Sequence, residues 1–130
     1  MNRVIIGTNI APPAANYAHA VLSESAGRIL HTAGIVGVTP DGTVPVSIGD
    51  QADVIWSSLC SLLADADMVP DDIVSITTYV VAGHLDRLGT VMAARDRYLS
   101  GHLAASTLVT VPALARPEWL MEIAVVAVGS

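Results

Sequence analysis

Two stretches decide the reading of this chain: Ile73-Val74-Ser75-Ile76-Thr77-Thr78-Tyr79-Val80-Val81, and Met121-Glu122-Ile123-Ala124-Val125-Val126-Ala127-Val128. Both are rich in β-branched residues and have strand length, so each predicts a β-strand. A strand with one wet face alternates apolar with polar side chains, whereas a strand covered on both faces does not. In the first, Val74, Ile76 and Val80 fall on one parity and Ile73, Tyr79 and Val81 on the other; Ile123–Val128 shows no polar alternation at all. These strands predict a sheet buried on both sides.

Working outward, Thr107–Val111 reads as the strand between them, and Trp119–Val128 opens after the turn at Arg116-Pro117. Upstream, Ala52, Ile55, Trp56, Leu59, Leu62 and Leu63 recur at helical spacing, with Asp50 as the expected cap, Asp53 in the first turn and Pro70 beyond the end. Leu85–Leu99 returns to the same period. Residues 34–49, with Pro40-Asp41-Gly42 and Pro45, read as loop. Arg3–Ile6 predicts a first strand, Thr8–Asn16 an irregular arm, and Ala18–Glu24 and Arg28–Ala33 a hairpin turning at Ser25-Ala26-Gly27. The order is β-β-β-α-β-α-β-β: an α+β domain over residues 1–130, with two helices on one face of a mixed six-stranded sheet. Two helices cover one face only. Neighbouring copies must cover the other, which predicts a homo-oligomer of closed symmetry.

Composition agrees. Of 130 residues, 52% are hydrophobic and 14% charged, an apolar excess for a chain that buries only about two-thirds of its unfolded surface. No apolar run approaches the roughly 20 residues of a membrane helix, and Met1–Gly7 has too short an apolar core for a signal peptide. The expectation is a soluble, cytoplasmic protein with no membrane partner. The net charge of −6 and the scatter of its six arginines argue against nucleic acid as a partner. There is no lysine, so no Schiff base can form with pyridoxal phosphate or a carbonyl substrate. Cys60 is the lone cysteine, and His19, His31, His84 and His102 lack ligand spacing, so neither metal nor cofactor is expected.

These segments, in this order, resemble the Rid (reactive intermediate deaminase, YjgF-like, endoribonuclease L-PSP-like) family. Pro13-Ala14-Ala15-Asn16-Tyr17-Ala18-His19-Ala20-Val21 is similar to its early P…Y-x-x-A-V stretch, and Ile29-Leu30-His31-Thr32-Ala33-Gly34 to its I-F-x-S-G strand, with Ala33 where serine is common. Gln51 opens the first helix as the family's glutamine does. Asp72–Val80 is similar to D-V-V-K-x-T-V-F, while Ala105–Val111 and Trp119–Ala124 resemble P-A-R-S-x-V-x-V and V-E-I-E-A. The resemblance implies a chorismate-mutase-like fold, a homotrimer with a central barrel, and small-metabolite clefts between subunits. It implies cofactor-free hydrolysis of enamines and imines to a carbonyl product and ammonia. An arginine on the penultimate strand would hold the substrate carboxylate, and a glutamate on the last would activate water. Ser106 stands at the arginine's place, so the usual substrate is not expected. The alternative is a non-catalytic member that binds a metabolite.

Glu122, a carboxylate among hydrophobes, is the catalytic candidate; as a structural residue it would reach an edge or pair with an arginine. Tyr17, Ala33, Gly34, Ser106, Thr107, Leu108 and Trp119 are the substrate-binding candidates, several through their backbone. Arg116 is the nearby guanidinium, with a solvated loop as its plainer reading. Cys60 and Trp56 read as core. No Ser-His-acid set is legible around Ser106.

Overall fold

A computed structural model describes residues 1–130. At its centre, β5 (Ile73–Val81) and β7 (Met121–Gly129) run antiparallel, with Ile76 opposite Val125, Thr78 opposite Ile123 and Tyr79 opposite Glu122. β6 (Ala105–Val111) lies parallel to β5 at the sheet edge. On the other side of β7, β3 (Arg28–His31) and the short β4 (Ile35–Val36) pair with it antiparallel, one after the other. The result is a mixed sheet of five strands carrying two helices, α1 (Ile48–Asp65) and α2 (Leu88–Leu99).

The expected six-stranded sheet is therefore corrected. β1 (Asn2–Ile5) and β2 (Ala20–Ser23) form a separate antiparallel ribbon, tied to the sheet by a bridge from Ala18 to Ala105 and by Asn2 Nδ2 donating to the Val128 carbonyl at 2.8 Å. The expected hairpin at residues 25–27 does not form either. Ser25 takes a left-handed φ of 52°, and the Gly27 N–H donates to the Gly129 carbonyl at 3.1 Å. The chain is thus captured by the end of β7 instead of folding back on β2. Part of the expected loop 34–49 is β4, too short for its periodicity to be seen.

Alternation sorts the sheet into two faces. Ile76, Thr78 and Val80 of β5 and Met121, Ile123, Val125 and Ala127 of β7 are buried toward the helices. Register carries Ser106, Leu108 and Thr110 to that same side. A register shift between Ile73 and Ser75 returns Ile73 to it as well. The opposite face shows Thr77 and Tyr79, Glu122, Ala124 and Val126, Thr107 and Val109, with Ile29 and His31 beside them. It carries no helix, and Ile29 remains 60% exposed. β5 contributes hydroxyls here beside Val81, so this face is mixed where the sequence predicted uniform grease.

α1 presents Ile48, Ala52, Ile55, Trp56, Leu59 and Leu63 to the core, each side chain worth roughly 1.5–3 kcal/mol where a large aliphatic is fully buried. Its cap is Ser47, whose Oγ accepts from the Asp50 N–H at 3.1 Å, not Asp50 as expected. The helix ends at Asp65, short of Pro70, and the Arg28 guanidinium donates to the carbonyls of Ala66 and Asp67. α2 follows a 3-10 turn at Ala82–Arg87 and packs alongside α1, with Trp56 stacked on Tyr98 at 6.2 Å. No helix is long and apolar enough to cross a membrane.

Gln51, fully buried at the start of α1, joins three segments. Its Nε2 donates to the Pro45 carbonyl at 2.8 Å and the Glu118 carbonyl at 2.9 Å, and its Oε1 accepts from the Leu120 N–H at 3.0 Å. A Cβ at Gly37 would lie 2.7 Å from Gln51 Cβ, so glycine lets the end of β4 close onto this helix turn. Gln51→Leu strands buried polar groups on both neighbouring loops. It is expected to lower unfolding free energy by about 2–4 kcal/mol in urea titration at fixed protein concentration. A loss below about 1 kcal/mol would contradict this role.

In the exposed turn before α1, hydrogen bonds from Thr39 first, then from Thr43, hold the Asp41 carboxyl at about 2 against an ordinary 3.8. The folded value is the lower one. The turn's contribution is therefore complete above the ordinary value and is lost as pH falls toward 2. NMR titration of Asp41 should show that midpoint, and Thr39→Val should move it upward.

Candidate functional site

The open face is organised around Glu122. β7 delivers its side chain between Tyr79 of β5 and Val36 of β4, both opposite it in register. The residue is half-buried, and its carboxylate enters no ion pair and no side-chain hydrogen bond inside the subunit. The nearest constraint is steric: a Cβ at Gly34 would lie 2.2 Å from Oε2 and 2.6 Å from Cδ of Glu122. Glycine at 34 is what leaves room for the carboxylate.

A kink sets this contact. His31 pairs with Val126 and Ile35 with Ile123, so β3 and β4 together hold one residue more than the β7 segment they face. Thr32 pins the kink, receiving the Val125 N–H on its Oγ1 at 3.0 Å and donating that hydroxyl to the Ala33 carbonyl at 2.8 Å. Ala33 and Gly34 are consequently exposed beside Glu122, with backbone groups outside the ladder.

Not every predicted residue joins them. Thr107 shares the face with Glu122, two positions along the strand from Val109, which lies beside Tyr79. Ser106 and Leu108 point to the helix side, Leu108 packing against the core. What Leu108 can offer is backbone, since β6 pairs on one side only. Tyr17 stands at the far end of β6, beside the Ala18–Ala105 bridge, four residues or roughly 13 Å along the sheet from Glu122. Its hydroxyl accepts from the Ala14 N–H at 3.2 Å, and its ring meets His19 edge-on. One subunit does not bring Tyr17 to Glu122. Trp119 precedes β7 and lies under the Arg116 guanidinium, 5.5 Å from its carbon.

Tyr79 and Val36 escaped sequence reading. Tyr79 looked like one more apolar strand position, and only the β5–β7 register sets it opposite Glu122. Burial pushes the Cys60 thiol up, in keeping with its place on α1. No three His, Cys, Asp or Glu side chains converge as a metal site. His19 Nδ1 instead accepts from the Gly7 N–H at 2.9 Å. A groove of about 790 Å³ lies between α1 and the β4 turn; it shares Val36 with the Glu122 site and is lined further by Val38, Pro40, Val54, Ser58 and Leu62 among others. Its polar groups are hydroxyls and Asp53, whose carboxylate already holds Arg97 at 2.7 Å.

The fold has counterparts. The sequence profile described as Endoribonuclease L-PSP matches residues 8–129. A Rid-family protein of unknown function from Yersinia pestis, YyfB, is 31% identical, with 98% of each chain covered and a TM-score of 0.89. TdcF from E. coli, solved with bound serine, is 23% identical over 98% of this chain and 100% of that one, at a TM-score of 0.73. A Mycobacterium tuberculosis member of the YjgF/YER057c/UK114 family is 21% identical, covering 99% and 100%, at 0.70. These last two likenesses speak for the fold alone. No curated protein matches by sequence. With the profile spanning nearly the whole chain and the YyfB likeness beside it, this chain belongs to the Rid/YjgF/endoribonuclease L-PSP family.

Proposed function

We propose that three copies of the chain close into a homotrimer with a central barrel, and that small metabolites bind in the clefts between copies, against Glu122. The carrying observation is a carboxylate without an internal partner, seated against Gly34 on a sheet face that no helix covers. The bound serine of TdcF supports a small amino-bearing metabolite as the kind of ligand this fold accepts. The exposed Ile29 and Val109 support burial of the same face by neighbours.

The chemistry such a site can perform is hydrolysis of a protonated imine. Glu122 takes a proton from water as the oxygen attacks the imine carbon, and the proton passes on to nitrogen in the resulting carbinolamine. Collapse breaks the C–N bond, leaving a carbonyl product and ammonium: R₂C=NH₂⁺ and H₂O become R₂C=O and NH₄⁺. An enamine enters by tautomerising first. No cofactor is required. Ala33, Gly34 and the free edge of β6 at Leu108 offer backbone groups to orient the nitrogen, Thr107 offers a hydroxyl and Tyr79 a phenol. Tyr17 and Trp119 would enter such a cleft only from its rim or from a neighbouring copy. Ser106 turns toward the helices, which favours a shifted substrate preference over a hydroxyl replacing the family's guanidinium. The second reading, a metabolite-binding protein without turnover, draws on the same missing cation.

Ammonia release from imines made in situ by amine or amino-acid oxidases separates the two readings. Glu122→Gln is expected to lower turnover at least about 10²-fold with assembly intact. Gly34→Ala, which displaces the carboxylate, should lower it comparably with a small effect on stability. Equal inertness of wild type and variants toward every imine would leave only binding without turnover. Assembly is tested by sedimentation: wild type should run near three times the 13.4 kDa chain mass, and Val109→Asp should dissociate it. A folded single copy at micromolar concentration would remove the clefts.

A further inference from the structure

We infer that the Glu122 cleft selects cationic ligands without a carboxylate, protonated primary amines and the iminium ions derived from them, with Glu122 as their counter-ion. The inference rests on the cleft reading above and adds the charge of what enters it. Its basis is where the positive charges of the subunit are. The chain has no lysine and six arginines. Arg28 is held by the carbonyls of Ala66, Asp67 and Ser130, at the end of α1. Arg95 is buried and pairs with Asp96 at 3.1 Å, Arg97 pairs with Asp53, and Arg116 lies over Trp119. Arg3 sits in the β1–β2 ribbon and Arg87 at the start of α2. None pairs with Glu122, and none occupies a strand position on the open face.

The ionisable groups on that face are Glu122, the Tyr79 phenol directly opposite, and His31, which pairs with Val126 four residues along β7. The remaining polar groups there are the hydroxyls of Ser75, Thr77 and Thr107 and the exposed backbone at Ala33 and Gly34. A ligand carboxylate brought beside Glu122 meets a like charge and only neutral donors. A ligand ammonium or iminium meets an acceptor with no competing partner. The missing side chain at Gly34 leaves that acceptor room beside the kinked backbone. The chain's net charge of −6, repeated in each copy, biases approach the same way.

The test compares three ligands that share a propyl chain: butylamine, its carboxylated counterpart norvaline, and butyrate. In melting-shift and calorimetric titrations of the wild-type assembly, butylamine should bind at least tenfold more tightly than norvaline, and butyrate should not bind. Glu122→Gln, checked for intact assembly by sedimentation, should abolish that preference. If turnover is present, the imine formed from butylamine by an amine oxidase should be hydrolysed at least tenfold faster than 2-iminopentanoate formed from norvaline. Tighter binding of norvaline or butyrate, weakened by Arg3→Gln, Arg87→Gln or Arg116→Gln, would mean that a neighbouring copy supplies a guanidinium. That result overturns the inference and leaves the cleft standing. If none of the three binds, and Glu122→Gln changes no measurement, the inference and the cleft reading both fail.

Discussion

The register of β7 against its neighbours is the constraint on which the rest of this structure depends. With Ile123 opposite Thr78 and Val125 opposite Ile76, every odd-numbered side chain from Met121 to Ala127 is driven under the two helices. A slip of one residue would bury Glu122 in that core and expose Ile123 and Val125. An uncompensated carboxylate among Trp56, Leu59 and Leu63 would be strongly unfavourable. The core therefore selects one register, and the same selection delivers Glu122 to the other side.

What makes that delivery useful is a local irregularity. β3 and β4 carry one residue too many for β7, and the surplus is absorbed at Thr32–Gly34, with the Thr32 hydroxyl bonded on both sides of the kink. The surplus turns backbone out of the ladder beside the carboxylate, and glycine at 34 clears the space it occupies. Gln51 works at a distance to the same end. By fastening the start of α1 to Pro45, Glu118 and Leu120, it fixes where β7 begins and hence the height at which Glu122 stands.

Much of this was legible in the residues. β5 was predicted with its observed bounds, both helices by their period, and Glu122 by its isolation in an apolar run. The errors have a common cause. The ribbon of β1 and β2, the absent hairpin at Ser25 and the two-residue β4 all depend on partners distant in sequence: Gly129, Val128 and Ile123. A motif match likewise pointed to Ser106, yet a strand alternates strictly, and Thr107 is the residue on the Glu122 face. Spacing along a chain does not say which parity of an edge strand faces the core.

The sequence by itself determined the class of fold, the family resemblance and the exclusions that follow from having no lysine and a single cysteine, because composition and periodicity are local properties. Only the tertiary structure decided that Tyr79, Val36 and Gly34 surround Glu122, that Ser106 and Leu108 do not, and that no arginine of the subunit pairs with that carboxylate. Those outcomes follow from strand register and from a bulge. Both are settled by packing between segments up to roughly a hundred residues apart, where the free energy of burying one face outweighs any local preference.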